Sequence, residues 1–404
     1  TASNVVTCVN YTRAGGIVLT TDVTGTLPVA NGGTGASTPV SLNPNQPPAN
    51  WMLGSAAYQD ADELKLSRTE RNFIIDGDIT QTIGGTSASY STTDTYTILP
   101  LWYYESNGSG GTYTISQDSD VPTFAQSNHS SQYSMKVDCT VTHTPAAGEF
   151  QYLEYKITGT DYTHLYDKEV TLSFWHKHTK TGTHCAVVQS STTGRSFVMD
   201  YTQDTTNTWE RHTQTLTLDT NDSPFAETEI GLRLIFTVAT GSDYHTTADT
   251  WAGSRRLGVT GMVNNGDSTS NNMLFSQISL CLGPTATFSS ESVATVRDQV
   301  AYYVEELVPN PTANAVQWAG QAFGTTSSNM PIMFRPKRAD PAITLSAAST
   351  FYYADSGGGK TALTGDDTVA AQWVENNSFN LNYGNVTIGA GDAVAGGPAT
   401  TACS

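Results

Sequence analysis

The sequence predicts a mainly β protein. An extended first segment winds with sister chains, and an antiparallel β-sandwich of jelly-roll type follows, then a short helical neck and a small C-terminal β domain. Three observations lead there. Short runs from residue 72 onward alternate apolar and polar side chains, the period of a strand with one wet face. Charged residues make up only 14% of the chain, against roughly 25% in an average globular protein. Thr, Ser, Asn and Gly take their place, which suits β-structure and disfavours long surface helices. Near the N-terminus, a segment interrupted by Pro and Gly cannot serve as a central strand of an ordinary sheet.

The 404 residues are too many for one typical domain. The expected division is an extended β shaft over 1–50, a connector with a short helix over 51–71, and a jelly-roll sandwich over 72–283. A helical neck over 284–311 and a β tip over 312–404 complete it.

The shaft centres on Leu27-Pro28-Val29-Ala30-Asn31-Gly32-Gly33-Thr34-Gly35. Pro28 cannot donate to a ladder, and the glycines let backbones lie close together. Polar Ser, Thr, Pro and Asn follow, where a hairpin would need a second alternating strand. Leu27, Pro28, Asn31, Gly32, Gly33 and Gly35 therefore suit three chains wound about a shared axis. A flexible linker is the plainer alternative. Only Arg13 and Asp22 carry charge before residue 60, so parallel copies would not repel strongly.

This segment closely resembles one that recurs in bacteriophage tail fibres and other virion appendages. Leu53-Gly54-Ser55-Ala56-Ala57-Tyr58-Gln59-Asp60-Ala61-Asp62 is also common in them. The resemblance implies a homotrimeric fibre on a virion, joined to other virion proteins at its N-terminal end and made in the host bacterial cytoplasm. Position 1 is Thr, which fits either a removed initiator Met or an anchoring segment upstream.

Residues 55–71 place Asp60, Asp62 and Glu63 before Lys65, Arg68 and Arg71, the order a helix dipole favours. The sandwich opens at Asn72–Ile79, and strands are expected at Tyr133–Cys139, Phe150–Ile157, Val170–His176, His212–Leu218, Ile230–Phe236 and Met273–Leu280. Their order resembles a jelly-roll domain of phage tail fibres, distantly similar to the carbohydrate-binding modules of glycanases. Those modules hold a structural calcium between an opening Asn-Gly-Asp-type turn and a closing strand. Asp76 and Asp78 sit in the matching turn here, but Gln277 stands near the place of the closing Asp. A hard cation needs more oxygen ligands than these two acids supply, so no cofactor beyond that calcium is expected.

A helix is expected from a Ser cap at 289–292 through Leu307, with Pro309 ending it. Val293, Val296, Val300, Tyr303 or Val304, and Leu307 suit either a three-chain seam or packing on the sandwich. In the tip, strands are expected at Ala315–Gly320, Pro331–Phe334, Ala342–Leu345, Phe351–Tyr353 and Ser378–Tyr383.

Several function classes are set aside. The formal net charge of −18 repels phosphates, so no nucleic-acid partner is expected. No apolar run approaches a membrane span, and no membrane insertion is expected. Five scattered cysteines without a C-x-x-C pair read as buried or terminal thiols, in keeping with a reducing cytoplasm. No nucleophile elbow, P-loop or His-Glu-x-x-His motif occurs, and the chain is expected not to be an enzyme. His176, His178 and His184 could share a strand face, most simply at a wet strand end. Trp175 and Trp209 are assigned to the core.

The aromatics Trp102, Tyr103, Tyr104, Tyr90 and Tyr96 lie among Ser, Thr, Asn and Gly and are the candidate ligand-binding residues. Sugar rings stack on such planes while amides and carboxylates read hydroxyls. They could equally cap the core. The expected function is adhesion of a virion fibre to a host surface glycan or outer-membrane protein. A tailspike-like depolymerase and a structural head fibre or decoration protein are the alternatives.

Overall fold

The computed structural model describes residues 71–404 apart from 92–94, 109, 192–193, 222–223, 308–317, 323–326, 346–351, 355–359, 363–367, 385–392, 398–400 and 404. The chain divides between Lys65 and Leu66 into two units. The shaft residues Leu27 to Gly35 and the helix expected at 55–71 lie outside the described residues, except for Arg71.

Two antiparallel sheets form the body. The first has the order β1 (Ser87–Tyr90), β4 (Thr112–Asp118), β5 (Ser134–Val141), β15 (Asn272–Leu282), β7 (Glu169–His178), β10 (Glu210–Thr217). The second runs β13 (Trp251–Ala252), β9 (Ser196–Gln203), β8 (Gly182–Ser190), β11 (Ile230–Thr240), β6 (Phe150–Thr158), β3 (Trp102–Ser106), β2 (Thr95–Tyr96). A parallel pair, β12 (His245–Thr246) and β14 (Gly258–Val259), belongs to a long excursion between β11 and β15. Alternation explains the arrangement: Leu172, Phe174, His176 and His178 of β7 point inward, while Trp175 and Lys177 face out. Phe236 and Phe275 stack across the sheets, 4.1 Å between ring centroids and 20° from parallel.

The opening segment is a turn and not a strand, fastened to β15 by one side chain. The Asn72 amide donates to the Ile278 carbonyl at 3.0 Å, and its oxygen accepts from Ile74 and Leu280. Gly77 lies so close that an added Cβ would sit 2.0 Å from the Ile278 carbonyl oxygen.

Two short helices, α1 (Phe124–Ser127) and α2 (Gly159–Leu165), join sandwich strands. The third, α3 (Val293–Ala301), is capped by the Ser292 hydroxyl and is shorter than the sequence predicts. Val296, Val300 and Val304 enter the sandwich core, whereas Val293 is exposed. After Ala301 the chain straightens into β16 (Glu305–Leu307), which pairs with β25 (Thr401–Cys403) beside β19 (Ile343–Leu345).

The rest is a seven-stranded sheet in the order β21 (Lys360–Ala362), β20 (Tyr352–Ala354), β24 (Ala393–Gly397), β17 (Trp318–Ala322), β18 (Ser327–Met333), β23 (Ser378–Gly384), β22 (Thr368–Glu375). Met330, Ile332, Phe379, Leu381 and Tyr383 form its small core. Cys139, Cys185 and Cys281 are buried and form no disulfide among the described residues.

Candidate functional site

The outer face of the second sheet carries one long cross-strand row: Tyr96, Tyr103, Glu154, Ile235, Val187, Val198. Directly opposed residues share a face, so this row grades from aromatic through charged to apolar. The apolar end is covered. Phe150, Tyr152, Cys185, Val187, Val198 and Ile235 pack with Leu257, and Tyr244, Val259 and Met262 of the β11–β15 excursion close over them. The aromatic end is open, with Tyr96 49% exposed.

There the Tyr96 and Tyr103 rings pair at 4.3 Å between centroids and 44° between planes. Lys156 Nζ stands 3.6 Å over the Tyr103 ring, a cation–π contact. Burial, with the hydrogen bond to Tyr96 adding to it, pushes the Tyr103 phenol well above its ordinary value, so it stays protonated as a hydroxyl. Glu154 is fully buried behind it. Arg233 Nη1 meets both of its carboxylate oxygens at 2.8 and 2.9 Å, and Lys156 Nζ lies 3.0 Å away. Two cations thus share one carboxylate.

Tyr96, Tyr103 and Lys156 floor a groove of about 300 Å³, walled by Thr228–Ile230, Tyr303 and Arg338. Arg338 is brought in by its backbone: its N–H donates to the Tyr302 carbonyl just beyond α3. Its guanidinium donates to the Glu227 carbonyl at 2.7 Å and lies 5.9 Å from the Tyr303 ring centroid. Aromatic planes, hydroxyls and charged donors converging on a concavity can hold a sugar ring by its face and its edge.

Of the five aromatics expected to bind ligand, only Tyr96 and Tyr103 reach this surface. Trp102 and Tyr104 are correctly strand neighbours of Tyr103 but face inward, 1% and 0% exposed, where Trp102 stacks on Phe236. Tyr90 is buried as well, its hydroxyl accepting from the Ile98 N–H. Strand alternation is the reason: neighbours of an outward residue point into the core. Trp175 is half-buried on the outer face of its sheet, whereas Trp209 is buried and donates to Asp120. Lys156, Glu154 and Arg338 share no local motif, and only the fold brings them together.

A larger cavity of about 440 Å³ lies beside Asp76 and Asp78, under α3. Its acids do not fit calcium. Asp76 already accepts from the Thr80 N–H and hydroxyl through Oδ1, and from the Gln81 N–H through Oδ2. Burial raises its pKa to about 6 despite those bonds, and nearby Asp78 pushes the same way. Asp78 Oδ2 is 3.0 Å from His129, which leaves Oδ1, buried and without a partner. Gln277 turns its amide nitrogen to Ser127 and Ser131. One free carboxylate oxygen is far from the six to eight ligands of a calcium site. Among the described residues, no cluster of three or more His, Cys, Asp or Glu is arranged to hold a metal.

The histidines are not at a wet strand end. His176, His178 and His184 are buried between the sheets, 2%, 0% and 0% exposed. Helices long and apolar enough to cross a membrane are absent among the described residues.

No family model matches the chain, and no curated protein matches it. Among solved structures, it is similar to the enzymatically active domain of tailspike protein 4 of bacteriophage CBA120, at 13% identity and a TM-score of 0.27. That match covers 45% of this chain and 19% of the tailspike chain. A family 11 carbohydrate-binding module of Clostridium thermocellum matches at 12% identity and 0.26, covering 49% and 95%. A putative sugar binding protein from Bacteroides thetaiotaomicron matches at 10% identity and 0.31, covering 53% and 100%.

Proposed function

We propose that the chain is a homotrimeric phage virion fibre that adheres to a glycan on the host bacterial surface through the Tyr96–Tyr103 groove, without cleaving it. One observation carries the binding half of this reading. A tyrosine pair, Tyr96 exposed and Tyr103 half-buried, stands at the end of a sheet face that the chain otherwise covers with its own excursion. The fibre half rests on the Leu27–Gly35 segment and its resemblance to virion shafts. Weak sites repeated on one fibre gain from effective concentration, so a shallow groove suffices.

The acids in and beside the groove speak against cleavage. Glycoside hydrolysis needs two carboxylates facing one bond across roughly 5–10 Å. Glu154 is enclosed by Arg233 and Lys156, and Glu229 Oε2 accepts from the Ala226 N–H. Neither is placed as a free acid or base.

Fluorescent full-length protein on candidate host cells tests the reading. Binding that disappears after periodate oxidation of the surface, with no reducing ends released from purified polysaccharide, is the expected result. Binding unchanged by periodate overturns the glycan receptor. Accumulating reducing ends would instead favour a depolymerase.

A further inference from the structure

We infer that the groove selects an acidic sugar, a hexuronate whose ring lies on the Tyr96–Tyr103 platform and whose carboxylate is received by Arg338. This rests on the glycan reading above and narrows its ligand.

The charge around the platform carries the inference. The chain as a whole is strongly acidic, at −18, yet the groove is locally cationic. Lys156 lines it and shares the Glu154 carboxylate with Arg233, a pair that lies outside the lining. Arg338 adds a second cation, and its hydrogen bond goes to a neutral carbonyl, that of Glu227. Glu227 turns its own carboxylate towards the Tyr302 hydroxyl, 3.4 Å away. Glu229 also lines the groove, but one of its oxygens is held by the Ala226 backbone. Two cations, Lys156 and Arg338, thus line the groove against one lining carboxylate, that of Glu229. Among the described residues no carboxylate forms an ion pair with Arg338, nor with Arg211, Arg256 or Arg297, whereas Arg71, Arg195, Arg233, Arg255 and Arg335 each have one.

The geometry of Arg338 suits a carboxylate. A guanidinium offers five donors in a planar fork, and one bond to Glu227 leaves others for a bidentate partner. The Tyr303 ring beside it and the Tyr302 carbonyl bonded to its backbone hold the side chain near the groove. A pyranose on the tyrosine pair presents its C5 substituent at the ring edge. In a hexuronate that substituent is a carboxylate, and in the neutral hexose it is a hydroxymethyl group. The site therefore has a means to tell them apart: a charge-assisted bond that only the acid completes.

The test uses the full-length protein and a panel of oligohexuronates of different linkage, each beside its carboxyl-reduced neutral counterpart. At least one acid is expected to bind about tenfold more tightly than its reduced form. Arg338→Gln is expected to remove that preference, so that each acid and its reduced form bind with equal affinity. Tyr96→Ala, at an exposed position, is expected to weaken both. Raising salt supplies a reading independent of folding: only the acid preference of the unmodified protein should shrink, because the bond is ionic. Equal affinity for each acid and its reduced form overturns the inference and leaves the glycan reading standing. A preference that survives Arg338→Gln, or that salt leaves unchanged, overturns it too. Binding to none of the panel, acid or neutral, overturns the inference, whereas loss of all periodate-sensitive cell adhesion is what removes the glycan reading.

Discussion

The imidazoles of His178 and His184 face one another inside the sandwich, 4.3 Å between ring centroids. His176 stacks on the other side of His178 at 5.3 Å, and the Tyr201 hydroxyl lies 3.1 Å from His178 Nε2. Burial lowers all three, His176 and His184 to about 4 and His178 well below its ordinary 6.5. For His178 and His184, neighbouring positive charge deepens the shift, and His212 is lowered as well. These rings are neutral in the native state and become charged on unfolding below 6.5. Their contribution to stability is therefore complete above pH 6.5 and is lost as pH falls towards 4. Asp76, raised to about 6, has the opposite sign: its contribution is complete below 3.8 and lost as pH rises through 6. One acid cannot offset several histidines. Stability measured by urea unfolding should fall steeply between pH 7 and pH 5, by about 2 kcal/mol for each of His176 and His184. A flat profile across that window would show that the cluster is solvated.

Gly77 gives a sharper test of how the sandwich closes. Its backbone carbonyl accepts from the Ile278 N–H at 2.9 Å, in the same contact that leaves no room for a Cβ. Gly77→Ala must force the opening turn away from β15, and should destabilise the protein by about 3 kcal/mol. Gly148→Ala is the control, because its Cβ would meet nothing nearer than Asp243 Oδ2 at 3.6 Å. That change should stay within about 0.5 kcal/mol.

How much of this was legible in the sequence follows from burial. Strands with one wet face, such as β5 and β10, show the alternation and lie within a residue or two of where it places them. β8 was missed because it has no wet face. Ala186 and Val188 enter the main core, and Cys185 and Val187 the covered outer cluster, so no period survives. The helix was drawn too long because Tyr303, Val304 and Leu307 continue its apolar spacing, although Leu307 belongs to a strand paired with Thr401. At the groove, composition drew attention to Trp102-Tyr103-Tyr104 as a block. Period two within that block already separates Tyr103 from its neighbours. Arg338 had no local signal, since its place depends on contacts with Tyr302 and Glu227.

The donor pattern at Asp76 makes chelation informative. Dialysis against EDTA should leave the thermal midpoint unchanged, and added calcium should not raise it. A calcium ion held at 100 times its dissociation constant would add about 2.7 kcal/mol, several degrees for a sandwich of this size. A rise of that order would mean that the Thr80 and Gln81 N–H groups swing away to admit the ion.

The junction between α3 and the tip depends on one buried lysine. Lys337 is 5% exposed, and its Nζ donates to the Ala301 carbonyl at 2.6 Å and to Glu305 Oε2 at 2.7 Å. It thus caps the last turn of α3, where carbonyls lack helical partners, and neutralises the acid that begins β16. Lys337→Met keeps much of the side-chain volume but strands both acceptors. Because Glu305 keeps partial access to water, the loss should be about 1–3 kcal/mol and not the full penalty of a sealed charge. Glu305→Gln made alone should cost less, since Ala301 remains capped. In the double variant the two losses should fall short of their sum by about 1 kcal/mol, the coupling expected of residues in direct contact. Strict additivity in urea unfolding would show that Lys337 serves Ala301 alone and that the ion pair contributes nothing to holding the tip on the helix.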